Sequence, residues 1–153
     1  MRALVIGYGN RLRGDDGVGT TIAEIVETWQ FPGVGAIAPH QLTPELADSL
    51  SQVDMAFFVD ASWDLPAGEV SVTPVYSMEH ELIVSHYATP SGLLSLARSL
   101  YGCAPDAWWV QIGIKDTALG ERFSTPVERA IPVALEKVRS HLERMSPIAT
   151  SQR

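Results

Sequence analysis

Three side chains that can bind a metal ion or transfer a proton each lie close to a predicted strand or helix. Asp16 lies in the loop after the apolar run at residues 3–6, Asp60 directly follows the run at residues 55–59, and His86 precedes a helix start. In an open α/β sheet, ligands bind beyond the carboxyl ends of the strands. Carboxylates and imidazole are ligands for divalent ions, and three of them leave positions open for substrate or water. The three residues are therefore candidate metal ligands and candidate acid–base catalysts.

Each of these residues also has a simpler interpretation. Asp15 and Asp16 stand at a predicted helix start, where Asp is a favoured N-cap residue. Asp60 could end a strand with a loop hydrogen bond, although a carboxylate after five apolar residues needs a partner or a site. His40 also follows a possible strand, so it stays open as an alternative to His86. The residue types alone predict a divalent-metal or acid–base site and leave the metal and the reaction open.

The glycine-rich loop after the first strand is partly similar to a dinucleotide-binding fingerprint. Gly7 and Gly9 are in place, but the third glycine position holds Leu12. Asp15 and Asp16 stand where a pyrophosphate would bind, and their charges would repel it. A nucleotide-dependent oxidoreductase is therefore the least favoured of the alternative functions.

Short apolar runs alternate with helical periodicity along the chain, which is typical of an α/β fold. Pro74 indicates that one strand lies at a sheet edge, and Trp108 and Trp109 alternate along another strand, so they are expected to fill two opposite helix layers. The expected fold is a three-layer α/β/α sandwich with a mostly parallel twisted sheet of about five strands. The predicted strands are residues 3–6, 35–38, 55–59, 69–76 and 108–112, and the predicted helices begin after Gly17, at Thr43-Pro44, at Thr89-Pro90 and at Thr125-Pro126.

The composition is that of one ordinary globular domain. The chain has 153 residues, 46% of them hydrophobic; residues 1–144 are expected to form a single α/β domain and residues 145–153 a flexible tail. The formal charge of −7 disfavours nucleic acid and anionic membranes as partners. Cys103 alone forms no internal disulfide, and the first apolar run is too short for a signal peptide or a membrane span. We therefore expect a cytoplasmic protein.

Several of these segments together resemble a known family. The sequence GYGNRLRGDDGVG at residues 7–19 is similar to the N-terminal signature of the hydrogenase maturation proteases, the endopeptidases that trim the large subunit of nickel–iron hydrogenases. The resemblance extends over residues 3–140, and its further blocks are residues 58–61, 85–86, 111–114 and 123–127.

The resemblance implies an aspartyl or metal-dependent endopeptidase with a single peptidase domain. Its expected partner is the precursor of a hydrogenase large subunit, from which it would remove a short C-terminal peptide. Asp16, Asp60 and His86 would contact nickel and form the catalytic group, and the nickel would be supplied by the substrate rather than held by the free enzyme. The neighbours expected to shape the loop are Gly14, Asp15 and Gly17.

Two alternatives stay open at this point. Asp16 or Asp60 could act as a general base, with nickel serving only for recognition. A non-catalytic protein that binds and escorts the nickel-bearing subunit would use the same three residues but leave the precursor at its original length. The sequence indicates neither the hydrogenase served nor the oligomeric state.

Overall fold

The computed structural model describes residues 1–78 and 88–145, and within them the chain forms five strands, four α-helices and a short 3-10 helix. The strands are β1 (Ala3–Gly7), β2 (Val34–Ile37), β3 (Met55–Ser62), β4 (Val70–Val75) and β5 (Asp106–Gly113). The helices are α1 (Val18–Thr28), α2 (Leu46–Ser51), α3 (Pro90–Tyr101) and α4 (Thr125–Met145), and the 3-10 helix spans Gly14–Gly17.

The strands of the described residues form one sheet in the order β2-β1-β3-β5-β4. The first four strands in that order are parallel, and β4 pairs with β5 in the antiparallel direction at the sheet edge. Pro74 lies in this edge strand, where its missing N–H removes no central ladder bond. Helices α1 and α4 cover one face of the sheet, and α2 and α3 cover the other. The predicted three-layer α/β fold with a mostly parallel sheet is confirmed.

Both faces of the central strands are buried against helices. β1 is buried over its whole length, as its continuous apolar sequence predicts. Because side chains alternate along a strand, Phe57 and Trp108 pack in the core under α1 and α4, whereas Phe58 and Trp109 pack in the core under α2 and α3. The neighbouring tryptophans thus fill opposite layers, as predicted.

β3 is longer than its apolar run predicts. β1 makes its last pair with β3 between Gly7 and Val59, but β3 continues beside β5 up to the pair Ser62–Gly113. Asp60 therefore lies inside β3, and the prediction that the strand ends at Asp60 is wrong. The hydrophobic pattern shows where burial stops, whereas the strand continues because its backbone still has a neighbour to pair with.

The predicted start of α2 is wrong, and the predicted start of α3 is correct. Thr43-Pro44 was the expected start of α2, but these residues form a turn in which the Leu46 N–H donates to the Thr43 carbonyl at 3.1 Å, and the helix begins only at Leu46. α3 begins as predicted, and the hydroxyl of its N-cap Thr89 accepts a hydrogen bond from the Gly92 N–H at 3.0 Å.

The C-terminal helix α4 begins at Thr125, as predicted, and continues past Pro132 to Met145. Of the predicted tail, residues 146–153 lie outside the described residues. No helix in the described ranges is both long enough and apolar enough to cross a lipid bilayer.

Candidate active site

The carboxyl ends of β1 and β3 meet at one edge of the sheet, directly beside the start of α1. The Tyr8 N–H continues the ladder past β1 by donating to the Val59 carbonyl at 3.1 Å. A Cβ on Gly19 would lie 2.3 Å from the same carbonyl oxygen, so glycine is required for the helix to approach this closely. The acidic residues that precede α1 are thereby held next to the end of β3, where Asp60 lies.

Asp16 is half-buried in the 3-10 helix before α1. Its carboxylate accepts a hydrogen bond from the Asn10 N–H at 2.7 Å. The loop folds back onto Asp16 through Gly9, which has a φ of +141° and on which a Cβ would lie 2.1 Å from the Asp16 carbonyl oxygen. In the described structure neither Asp15 nor Asp16 caps the 3-10 helix or α1, so helix capping is the wrong interpretation for both.

Asp60 is a half-buried carboxylate, and burial raises its pKa to about 6. Hydrogen bonds from the Tyr8 hydroxyl and the Ala61 N–H act to lower this pKa, and the negative charge of Asp16 raises it. The Asp16 and Asp60 carboxylates thus lie close enough for their charges to interact. A carboxyl group with a pKa near 6 can take up and release a proton close to neutral pH, which suits a general acid or base.

Tyr8 is a site residue that the sequence analysis missed. Burial and the neighbouring Asp60 raise the pKa of the Tyr8 hydroxyl far above its usual range, so the hydroxyl stays protonated and donates to the Asp60 carboxylate. Strand alternation could have identified Tyr8 from the sequence. Tyr8 stands two residues after Ile6 and therefore on the same face of the sheet, one step further along.

Asp15 has different surroundings from Asp16. Its side chain is fully buried and accepts hydrogen bonds from the N–H groups of Lys115 (3.0 Å), Asp116 (3.0 Å) and Ser124 (2.7 Å) and from the Ser124 hydroxyl (2.8 Å). Burial alone would raise the pKa of the Asp15 carboxyl, but these hydrogen bonds outweigh burial and hold the pKa below its ordinary value. Asp15 therefore joins the loop before α1 to the loop between β5 and α4, in agreement with its expected role in shaping the loop.

His86, the third predicted site residue, lies outside the described residues. The alternative, His40, is exposed, and its backbone carbonyl accepts a hydrogen bond from the Gly9 N–H at 3.1 Å. Among the described residues, no group of three or more His, Cys, Asp or Glu side chains is placed to hold a metal ion. The structure thus brings Asp16 and Asp60 together, and the role of His86 stays a prediction.

The chain is similar to known proteins in its structure. No protein-family profile matches the sequence, and no curated protein matches it significantly. The chain is similar in structure to the hydrogenase maturating endopeptidase HybD from Escherichia coli, with a TM-score of 0.76, 24% sequence identity, and coverage of 94% of this chain and 93% of that chain.

Two archaeal structures show the same similarity. The hydrogenase 2 maturation peptidase from a Thaumarchaeota archaeon has a TM-score of 0.70 and 25% identity, covering 94% of this chain and 99% of that chain. The NiFe hydrogenase maturation protease HybD from Thermococcus kodakarensis has a TM-score of 0.70 and 23% identity, covering 92% of this chain and 98% of that chain. The chain is therefore a three-layer α/β protein with the fold of these peptidases. The predicted resemblance to the hydrogenase maturation proteases is confirmed by this shared fold.

Proposed function

We propose that this chain is an endopeptidase that removes a C-terminal peptide from the nickel-loaded precursor of a nickel–iron hydrogenase large subunit. The convergence of Asp16 and Asp60 at the carboxyl edge of the sheet carries this proposal. The fold that the chain shares with structures named as hydrogenase maturation peptidases supports it. The proposed partner is the large-subunit precursor, and the composition supports a cytoplasmic setting for the reaction.

Peptide hydrolysis requires a polarised carbonyl group and an activated water molecule. In this proposal Asp16, Asp60 and His86 contact nickel that the precursor carries. In the alternative in which nickel serves only for recognition, Asp16 or Asp60 acts as the general base that accepts a proton from the attacking water. The water oxygen bonds to the carbonyl carbon, the carbon–nitrogen bond breaks, and the proton passes to the departing amine.

Nickel acts in this proposal as a recognition element within the substrate. Carboxylate oxygens and imidazole nitrogens both bind divalent cations such as nickel, so the proposed side chains are chemically suited to the metal. An enzyme whose groups are brought into their working arrangement only by a metal-loaded precursor would leave the empty precursor uncut.

The proposal can be tested by mixing the purified protein with nickel-loaded and with nickel-free precursor and following the mass of the large subunit. We expect the mass to fall by that of a C-terminal peptide with loaded precursor only. Equal cutting of both forms would contradict nickel recognition. A stable complex in which the precursor keeps its full length would instead support the escort alternative.

Variants of the two acids test the site itself. Asp16→Ala and Asp60→Ala are expected to abolish shortening of the loaded precursor. Asp106→Asn is the matched control, because Asp106 is exposed at the amino end of β5, at the opposite edge of the sheet. Normal cutting by either Ala variant would show that the site lies elsewhere.

A further inference from the structure

A row of polar side chains crosses the sheet at its carboxyl edge, and one of its members has no function in the scheme above. The strand register places Asp60 of β3 directly beside Gln111 of β5. Tyr8 stands on the other side of Asp60 and donates a hydrogen bond to it. Strand alternation places Gln111 on the same face of the sheet as Trp109, which packs under α2 and α3.

The row next to it, further inside the sheet, is apolar. Ile6, Phe58 and Trp109 are register neighbours there, and Ile6 and Phe58 are fully buried. The change from an apolar row to a polar row marks the boundary between the apolar core and the candidate site. Gln111 therefore lies at the floor of the candidate site and not in the core beneath it.

The Gln111 side chain is half-buried, and its carboxamide makes no hydrogen bond within the described structure. A carboxamide offers two N–H donors and an acceptor oxygen. Neighbouring strands in a sheet are about 4.8 Å apart, so the free amide lies within reach of any group bound against Asp60. Its register position beside Asp60 places these donors next to the candidate site.

This inference rests on the proposed function and adds a residue to it. We propose that Gln111 is a catalytic residue whose carboxamide N–H donates a hydrogen bond to the carbonyl oxygen of the peptide bond being cut. Asp60 lies on one strand, and Gln111, on the next strand, stabilises the developing negative charge on the carbonyl oxygen. Fixed donors aimed at an oxygen that gains charge contribute strongly to acyl transfer.

The test is Gln111→Met, which keeps the length of the side chain and removes both N–H donors. Loss of one such donor costs about 10²-fold in kcat, and we expect a loss of that size on nickel-loaded precursor with little change in KM. The matched control is Gln52→Met, since Gln52 is exposed at the end of α2 and its amide bonds only Asp48 among the described residues. That control is expected to cut at the wild-type rate.

Gln111→Glu provides a second variant of nearly the same shape, which keeps an acceptor but offers no donor. It is expected to lose at least as much kcat as Gln111→Met, because a carboxylate would repel the developing charge. Wild-type kcat in either folded variant, or a raised KM with unchanged kcat, would overturn the inference alone. A wild-type protein that fails to shorten loaded precursor would overturn the proposed function and this inference with it.

Discussion

Asp15 and Asp60 lie at the same edge of the sheet, and both are shielded from water, but their surroundings differ in the number of donors they supply. Asp15 receives hydrogen bonds from the backbone of the loop after β5 and from the Ser124 hydroxyl. Asp60 receives hydrogen bonds from the Tyr8 hydroxyl and the Ala61 N–H, and it faces the negative charge of Asp16. Burial raises the pKa of Asp60 to about 6 because its two donors do not offset it, whereas the donors around Asp15 outweigh burial and lower the pKa of that carboxyl.

Asp15 and Asp60 show how one fold gives a structural role to one carboxylate and a reactive role to another. A carboxylate surrounded by donors is stable as an anion, and it holds together the segments that supply them. A carboxylate with fewer donors and a like charge nearby is poorly stabilised, and it gains by accepting a proton or a cation. Asp15 is therefore expected to contribute to stability and Asp60 to reactivity.

The largest expected effect comes from Asp60→Asn. Removing a general base lowers the rate by about 10³-fold, so precursor cutting should nearly stop. The free energy of unfolding at pH 8 should stay the same or rise, because the amide carries no charge to desolvate. A mass-spectrometric time course and urea denaturation measure the two quantities. A variant that cuts at the wild-type rate would remove the basis of the contrast with Asp15.

Asp15→Asn is expected to have the next largest effect, on stability. The new NH₂ group would face N–H donors, and buried donors would lose their acceptor, at a cost of about 3 kcal/mol in the free energy of unfolding. Asp48→Asn is the control, since Asp48 is exposed on α2 and its replacement should change stability by less than about 0.5 kcal/mol. Urea denaturation of the two variants measures the free energy of unfolding of each. Equal values would show that the hydrogen bonds of Asp15 do not stabilise the fold.

Tyr8→Phe removes one of the donors of Asp60. A hydrogen bond to a charged group is worth about 1.5 kcal/mol, so kcat/KM should fall about 10-fold while the fold is retained. Tyr76→Phe is a suitable control because Tyr76 is highly exposed. If both variants cut equally fast, the hydroxyl of Tyr8 does not hold Asp60 in place.

The smallest expected effect is a pH dependence of opposite sign at the two acids. Asp60 has a higher pKa in the folded chain, about 6 against an ordinary 3.8, so the folded state binds its proton more tightly. Between these pH values the wild type should lose stability relative to Asp60→Asn as pH rises, by an amount on the order of 1 kcal/mol. Asp15, whose pKa is lowered, should stabilise the fold above its ordinary pKa and lose that contribution in more acidic solution. Urea denaturation at a series of pH values from 3 to 8 tests both predictions. If the free energy of unfolding changes with pH in the same way for wild type and Asp60→Asn, the prediction for Asp60 is wrong.

The sequence predicts the framework and the position of the acids well. Continuous apolar runs identified β1 and β3 because both are buried on two faces, and the Thr-Pro pairs identified the starts of α3 and α4. Since parallel strands end at one edge, Asp16 and Asp60 were expected to meet there, and the structure places them within electrostatic reach. The continuation of β3 to Ser62 was missed, because it depends on the backbone of β5 and not on the side chains of β3.

Other parts of the site depend on contacts that no local pattern contains. Asp15 and Asp16 are chemically identical and adjacent, and only donors about one hundred residues away make one of them structural. Gln111 becomes a neighbour of Asp60 through the register of two strands, which sequence periodicity does not determine. His86 was predicted from its place before a helix start and preferred to His40 on the family resemblance, and it lies outside the described residues.

The hydrogen bonds that Asp15 accepts from Lys115, Asp116 and Ser124 have a consequence for how the protein is made. A nascent chain exposes its N-terminal acidic loop long before the ribosome has released those residues. β5, which supplies the strand beside Asp60, also emerges late in translation. A copy that ends before these residues is thus expected to be inert, because the loop that carries Asp15 and Asp16 is not yet fixed by the segment after β5.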